Sequence, residues 1–149
     1  MKIAGFSIKK ISAERINPIK GNLEVKQGLN IDDIQKEQIN ISEKPAIRFD
    51  FTFSIDYSPN FAKIEVKGAI IAIDDKDEAK DIFKDWKKKK FDHQVKLPLF
   101  NFIMDKCNIK ALELEEEIGL PFHIPFPKLS PGNPSQTAAK NNNPANYAG

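Results

Sequence analysis

Few residues of this 149-residue sequence have the type and spacing that catalysis or metal binding requires. Its two histidines, His93 and His123, lie 30 positions apart, and neither has a cluster of cysteines or acidic residues at metal-ligand spacing beside it. The single cysteine, Cys107, has no neighbouring base in the sequence that would activate a thiolate. We therefore predict that both histidines are surface or packing residues and that Cys107 is a buried, inert thiol.

Sequence signatures of common enzymes are absent. The sequence contains no phosphate-binding glycine loop, no Gly-x-Ser-x-Gly motif and no His-Glu-x-x-His motif. A glutamate cluster could supply paired carboxylates for acid–base chemistry, but nothing in the sequence sets two of their environments apart. Its members are Glu113, Glu115, Glu116 and Glu117. We interpret the cluster as the solvated side of a helix, and we predict a protein that is not an enzyme and has no cofactor or metal.

A run of four lysines is the strongest candidate for contacting phosphate groups. It comprises Lys87, Lys88, Lys89 and Lys90. The simpler interpretation is a solvated helix terminus, which the composition favours. The net charge is only +2, and Arg15 and Arg48 are the only arginines, although arginine is preferred for bidentate recognition of phosphates and bases.

The composition is that of an ordinary globular chain of about one domain, with 40% hydrophobic and 30% charged residues. One cysteine cannot form an intramolecular disulfide, which fits a reducing, cytoplasmic setting. The sequence begins without a signal-peptide pattern and contains no apolar run of the roughly 18 residues that a membrane span needs. We therefore predict a cytoplasmic protein without membrane insertion.

The clearest element is a strand from Ala46 to Tyr57. Its even positions are mostly polar, so one face of the strand would be aromatic and apolar. The odd positions that form this face are Ile47, Phe49, Phe51, Phe53, Ile55 and Tyr57. A turn at Ser58–Asn60 and a second apolar stretch from Phe61 to Ile73 predict a long antiparallel hairpin, in which Gly68 marks a bulge or a bend.

Weaker patterns precede the hairpin. Phe6–Ile16 is predicted to be the first strand, and a second strand begins near Leu23 and Val25. The following stretch, Leu29–Ile41, fits either a continuation of that strand or a short helical turn.

Two helices are predicted after the hairpin. Ala79, Ile82, Phe83 and Trp86 form an apolar stripe at helical spacing, and the lysine run would follow at the helix C-terminus. The second helix is predicted from about Pro98 to Ile118, with the proline in its first turn and Gly119 at its end.

A proline-rich apolar segment, Leu120–Leu129, follows and is called the proline strap below. Its three prolines exclude a helix or a central strand, yet it is too apolar to leave in water. We predict that the strap lies extended across the domain and buries Phe122, Ile124 and Phe126. Together with two strand faces and two helices, it predicts more apolar surface than one small domain can cover, which implies oligomerisation or ligand binding. Ser130–Gly149 lacks an apolar pattern and is predicted to be a disordered tail.

The order of these elements resembles the SecB family of export chaperones, and the likeness is greatest to archaeal SecB-like proteins. It covers roughly residues 5–129 and rests on weak N-terminal strands, a long hairpin, a principal helix and a proline-rich crossover. The segments that carry it are Pro45–Ile73, Asp85–Lys88, Leu97–Ile118 with Lys106–Leu112 inside it, and Gly119–Leu129.

The resemblance implies an α+β domain over residues 1–129. Its sheet would have about four antiparallel strands, with two helices on one face. Such proteins assemble as dimers or tetramers and hold unfolded polypeptides in apolar grooves without ATP. The residues that the resemblance implies for polypeptide binding are Phe51, Phe53, Leu120, Phe122, Ile124 and Phe126.

The chain departs from the SecB pattern after the strap, where the family has a further helix and an acidic tail that engages an export motor. This departure favours a holding role over an export role. Two other functions stay open: a nucleic-acid or ribosome-associated adaptor that uses Lys87–Lys90, and a specific protein-interaction adaptor without chaperone activity.

Overall fold

The computed structural model of the chain describes residues 1–40 and 42–131. Its strands form one open antiparallel sheet in the order β1-β4-β3-β2, which confirms the α+β class. The elements are β1 (Lys2–Arg15), β2 (Glu24–Glu37), β3 (Ala46–Ser58), β4 (Ala62–Ile73), α1 (Lys76–Lys87) and α2 (His93–Ile118). In the described part of the chain, no helix is both long and apolar enough to span a membrane.

The hydrophobic core lies between the sheet and the two helices. Every odd residue of β3 from Ile47 to Tyr57 is buried, as their alternation with polar residues requires. The helices cover this same face with Ala79 and Ile82 of α1 and with a longer row from α2. That row consists of Leu99, Ile103, Cys107 and Ala111. The opposite face carries charged and polar side chains such as Arg48, Asp50 and Thr52, so it needs no cover.

Gly68 lies in the centre of the sheet, opposite Phe51 in β3 and Ile8 in β1. A Cβ atom at this position would collide with the carbonyl of Ser7 and the ring of Phe51. The glycine is therefore required by the close approach of its neighbours. The expected irregularity lies in the partner strand, where the register of β1 shifts between Ile8 and Lys10.

One boundary differs from the sequence-based expectation, and one stretch that the sequence leaves open proves to be a strand. Helix α2 begins at His93, five residues before Pro98, because the Asp92 side chain accepts a hydrogen bond from the Gln94 amide at 3.1 Å and caps the helix there. Pro98 is thus an interior helix residue that lacks one backbone donor. The ambiguous stretch after Leu29 continues β2 as far as Glu37, with a register shift between Ile31 and Asp33.

The proline strap does not lie extended, which corrects our prediction. The chain bends at His123–Ile124, and the rings of Phe122 and Phe126 meet edge to face at 5.1 Å between centroids. Phe122 is 46% exposed and Phe126 is 52% exposed, so the predicted burial of both is wrong. The two rings cover each other instead of the domain. Of the predicted tail, residues 132–149 lie outside the described part of the chain.

Candidate polypeptide-binding surface

The proline strap is anchored by Glu115, a residue that our sequence interpretation placed on the solvated side of α2. Glu115 is 0% exposed, which corrects that interpretation. The physical reason is helical phase, because residues at four-residue steps lie on nearly one face of a helix. Glu115 continues the buried row Leu99, Ile103, Cys107 and Ala111 at that spacing. This phase was the signal by which the sequence could have identified it.

A polar network joins Glu115 to the strap. Its carboxylate accepts hydrogen bonds from the backbone amide of His123 at 2.7 Å and from ring atom Nδ1 of the same residue. The other ring nitrogen, Nε2, lies 2.9 Å from Oδ1 of Asn108, which also accepts from Gln27 Nε2 at 3.1 Å. The His123 side chain is only 1% exposed, so this is a packing histidine, and each of its ring nitrogens lies within hydrogen-bond distance of a polar partner.

Tyr57 adds a second anchor from the sheet. Its hydroxyl donates a hydrogen bond of 2.7 Å to the carbonyl oxygen of Pro121. Burial, and then the negative charge of Glu115, raise the pKa of the Tyr57 phenol, so it stays a neutral donor at physiological pH. The backbone amide of Leu120 bonds to the carbonyl of Glu115 at 2.8 Å, and the Leu120 side chain is buried. We call Leu120–His123 the strap root.

The strap arm, residues 124–129, has a different character. Beyond His123, as far as residue 131 where the described chain ends, no residue of this segment makes an intrachain hydrogen bond. Leu129 is 91% exposed, and Ile124 is half-buried. An open cavity of about 440 Å³ is formed entirely by strap residues. It is lined by Phe122, Ile124, Pro125, Phe126 and Lys128. The arm therefore offers apolar surface on a fixed support.

Three of the residues expected to contact a polypeptide are not accessible. Phe51 is 1% exposed and Phe53 is 0% exposed, because both rings point from β3 into the core under the helices. Leu120 is 6% exposed, because it packs into the same core. As folded, these side chains cannot touch a client. The accessible members of the predicted set are Phe122, Ile124 and Phe126, and the structure adds Leu129, which that set did not include.

The lysine run lies away from any regular element except at its first residue. Lys87 ends α1, and Lys88–Lys90 form the turn after it, with their backbone amides bonded to the carbonyls of Asp85 and Trp86. All four side chains are exposed. Among the described residues, none of the four lies within 4.0 Å of a carboxylate oxygen. They are available to a negatively charged partner.

One acidic cluster has the spacing of a cation site. Single carboxylate oxygens of Asp74, Asp75 and Glu78 lie within 4.8 Å of one another. Asp75 already pairs with Lys44 at 2.8 Å, and Asp74 pairs with the amino group of Met1 at 3.4 Å. The chain's own cations thus neutralise much of this charge, and we assign no metal to it.

Comparison with known proteins gives no match: no protein-family model, no curated protein and no solved structure matches this chain. The surface is therefore interpreted from its own geometry.

Proposed function

We propose that this protein is an ATP-independent holdase that binds unfolded polypeptides through its proline strap. The observation that carries the proposal is the contrast within the strap. Its root is held by buried hydrogen bonds from α2 and β3, whereas the arm presents exposed apolar side chains. Contiguous exposed apolar surface on a fixed support is typical of a site that contacts a partner.

The size of this surface predicts weak binding by a single strap. Full burial of a large apolar side chain contributes about 1.5–3 kcal/mol, and Phe122 and Phe126 are already half-buried. Covering both rings and Leu129 would therefore contribute roughly 3–6 kcal/mol before the cost of ordering is subtracted. Before that cost is subtracted, this corresponds to dissociation constants from roughly 40 μM to roughly 6 mM.

Useful holding thus requires several straps in one assembly, where linked weak contacts gain effective concentration. This supports the proposed dimer or tetramer, an expectation that also comes from the SecB resemblance. A mass measurement in solution at micromolar concentration is expected to give a multiple of the 16.9 kDa chain. A stable monomer would contradict the oligomeric part of the proposal.

The experiment that tests the holding function is suppression of aggregation. A chemically denatured client is diluted with and without the protein, and light scattering is followed at low and high salt. We expect suppression that depends weakly on salt and is lost in the triple variant Phe122→Ser, Phe126→Ser, Leu129→Ser. The matched control, in which Lys87–Lys90 are all changed to Gln, should suppress aggregation as the original chain does. Equal activity of the triple variant would refute the strap as the site.

A second candidate function is an adaptor that binds nucleic acid or the ribosome through Lys87–Lys90. The exposure of all four lysines, without carboxylate partners among the described residues, favours it. It predicts RNA binding whose affinity falls steeply with salt, because bound lysines release counterions. A tight, specific protein partner without aggregation suppression would instead favour a protein-interaction adaptor.

A further inference from the structure

Three of the four odd-numbered positions from 121 to 127 in the strap are prolines, and the fourth is His123. In an extended chain, the backbone N–H groups of successive residues point to opposite edges. Prolines stand at 121, 125 and 127, and the amide of His123 is already bonded to Glu115. Along the odd-numbered edge, from 121 to 127, no backbone donor is free. The even-numbered residues Ile124, Phe126 and Lys128 keep their donors, which make no hydrogen bond to any residue among 1–40 and 42–131.

We propose that the strap arm swings open at His123–Ile124 and pairs, through its even-numbered edge alone, with the backbone of an extended client segment. This inference rests on the proposed holding function and specifies its chemistry. The arm would act as a short strand with one pairing edge, a mode of recognition that relies on main-chain hydrogen bonds and tolerates many side-chain sequences.

The hinge is supported by where the hydrogen bonds lie. Within the described part of the chain, the hydrogen bonds of the strap fall on its root, from the Leu120 amide to the His123 ring, and none lies on the arm. In the closed state, the ring of Phe126 contacts the ring of Phe122. Straightening the chain at residues 123–124 separates these rings, and an apolar client side chain can then replace Phe126 against Phe122. The root does not need to move.

The blocked edge has its own role. An exposed strand with two free edges would template further strands and aggregate. Proline is compatible with an edge strand only where its donor-free side faces away from the partner. Pro125 and Pro127 are both exposed, as residues whose donor-free side faces solvent would be. The arm can therefore hold one chain without nucleating a stack.

The direct test uses a ten-residue peptide of alternating valine and serine, in which all valines lie on one face of the extended chain. Two further versions are N-methylated at every second residue, one at the valines and the other at the serines. Amide hydrogen exchange of the full chain is followed by NMR. The unmodified peptide is expected to slow exchange at Ile124, Phe126 and Lys128 at least tenfold. One N-methylated version should bind at least tenfold more weakly, and the other should bind like the unmodified peptide.

Two outcomes would overturn the inference, and they are distinguishable. If all three peptides bind equally and the arm amides stay unprotected, the strap binds clients by apolar contact alone, and the holding function survives. If none of the peptides binds and no client is held, both proposals fail.

As a second readout, Pro125→Ala with Pro127→Ala should restore the second edge and raise self-association in sedimentation. The control Pro131→Ala, which lies beyond the arm, should not; an unchanged double variant would count against a blocked edge.

Discussion

Glu115 gives the sharpest test of how the proline strap is held. The change Glu115→Gln preserves the shape of the side chain and removes its charge. The carboxylate accepts two donors from His123, one from the backbone and one from the ring. A glutamine offers one oxygen, so its NH2 group would face the second donor in a site that is fully buried.

The magnitude follows from these contacts. One buried donor loses its partner, which costs about 1–3 kcal/mol. The other hydrogen bond loses its charge assistance, which costs about 1 kcal/mol more. We therefore expect the free energy of unfolding to fall by about 2–4 kcal/mol, far above the usual effect of a surface substitution.

The assay is urea denaturation followed by far-UV circular dichroism and by fluorescence of Trp86, the single tryptophan, which packs against Phe91. With a typical urea dependence of about 1–3 kcal/mol/M, the midpoint should fall by roughly 0.7–4 M. The matched control is Glu113→Gln on the same helix, because that side chain is 59% exposed and pairs with Lys110. It should cost less than about 0.5 kcal/mol. Equal, small losses in both variants would show that the strap root does not depend on Glu115.

Three further outcomes are expected. Phe53→Ala should lower the free energy of unfolding by about 3–5 kcal/mol, because its ring is fully buried. Phe126→Ala should lower it by less than about 1 kcal/mol and should weaken client binding. Similar stabilities of the two variants would contradict the assignment of core and surface. Burial raises the pKa of the Cys107 thiol from its ordinary value of 9.0 to about 11. In the folded protein at pH 8, its thiolate fraction and its rate with a disulfide reagent should therefore be about a hundredfold lower than in urea, and rapid labelling would show that the helix opens there. Changing all of Lys87–Lys90 to Gln should change the free energy of unfolding by less than about 0.5 kcal/mol, because these side chains are solvated. Urea denaturation of the variant and of the original chain would check this.

Regular alternation was informative because it reports a face that a sheet must bury. The odd residues from Ile47 to Tyr57 predicted a strand, and β3 buries all of them. The apolar stripe around Ile82 predicted α1 in the same way. Gly119 adopts a left-handed conformation with φ of 69° at the end of α2, as expected for a helix-ending glycine.

Local signals were less decisive where two of them competed. Pro98 suggested the start of α2, but the capping side chain of Asp92 begins the helix earlier. The stretch after Leu29 gave no clear period, and its register shift in β2 explains why, since a shift changes which residues face the core.

Amino-acid type and local period are properties of the sequence by itself, and here they determined the α+β class, the central strand and the first helix. Burial also depends on which surfaces meet, and only the tertiary structure decided that. It buried Phe53 and Glu115 and left Phe122 and Phe126 in solvent. A hydropathy scale would instead place the charged Glu115 in solvent and the two phenylalanines in the core. Glu115 can be buried because His123, eight residues further along the chain, folds back and satisfies its charge with hydrogen bonds.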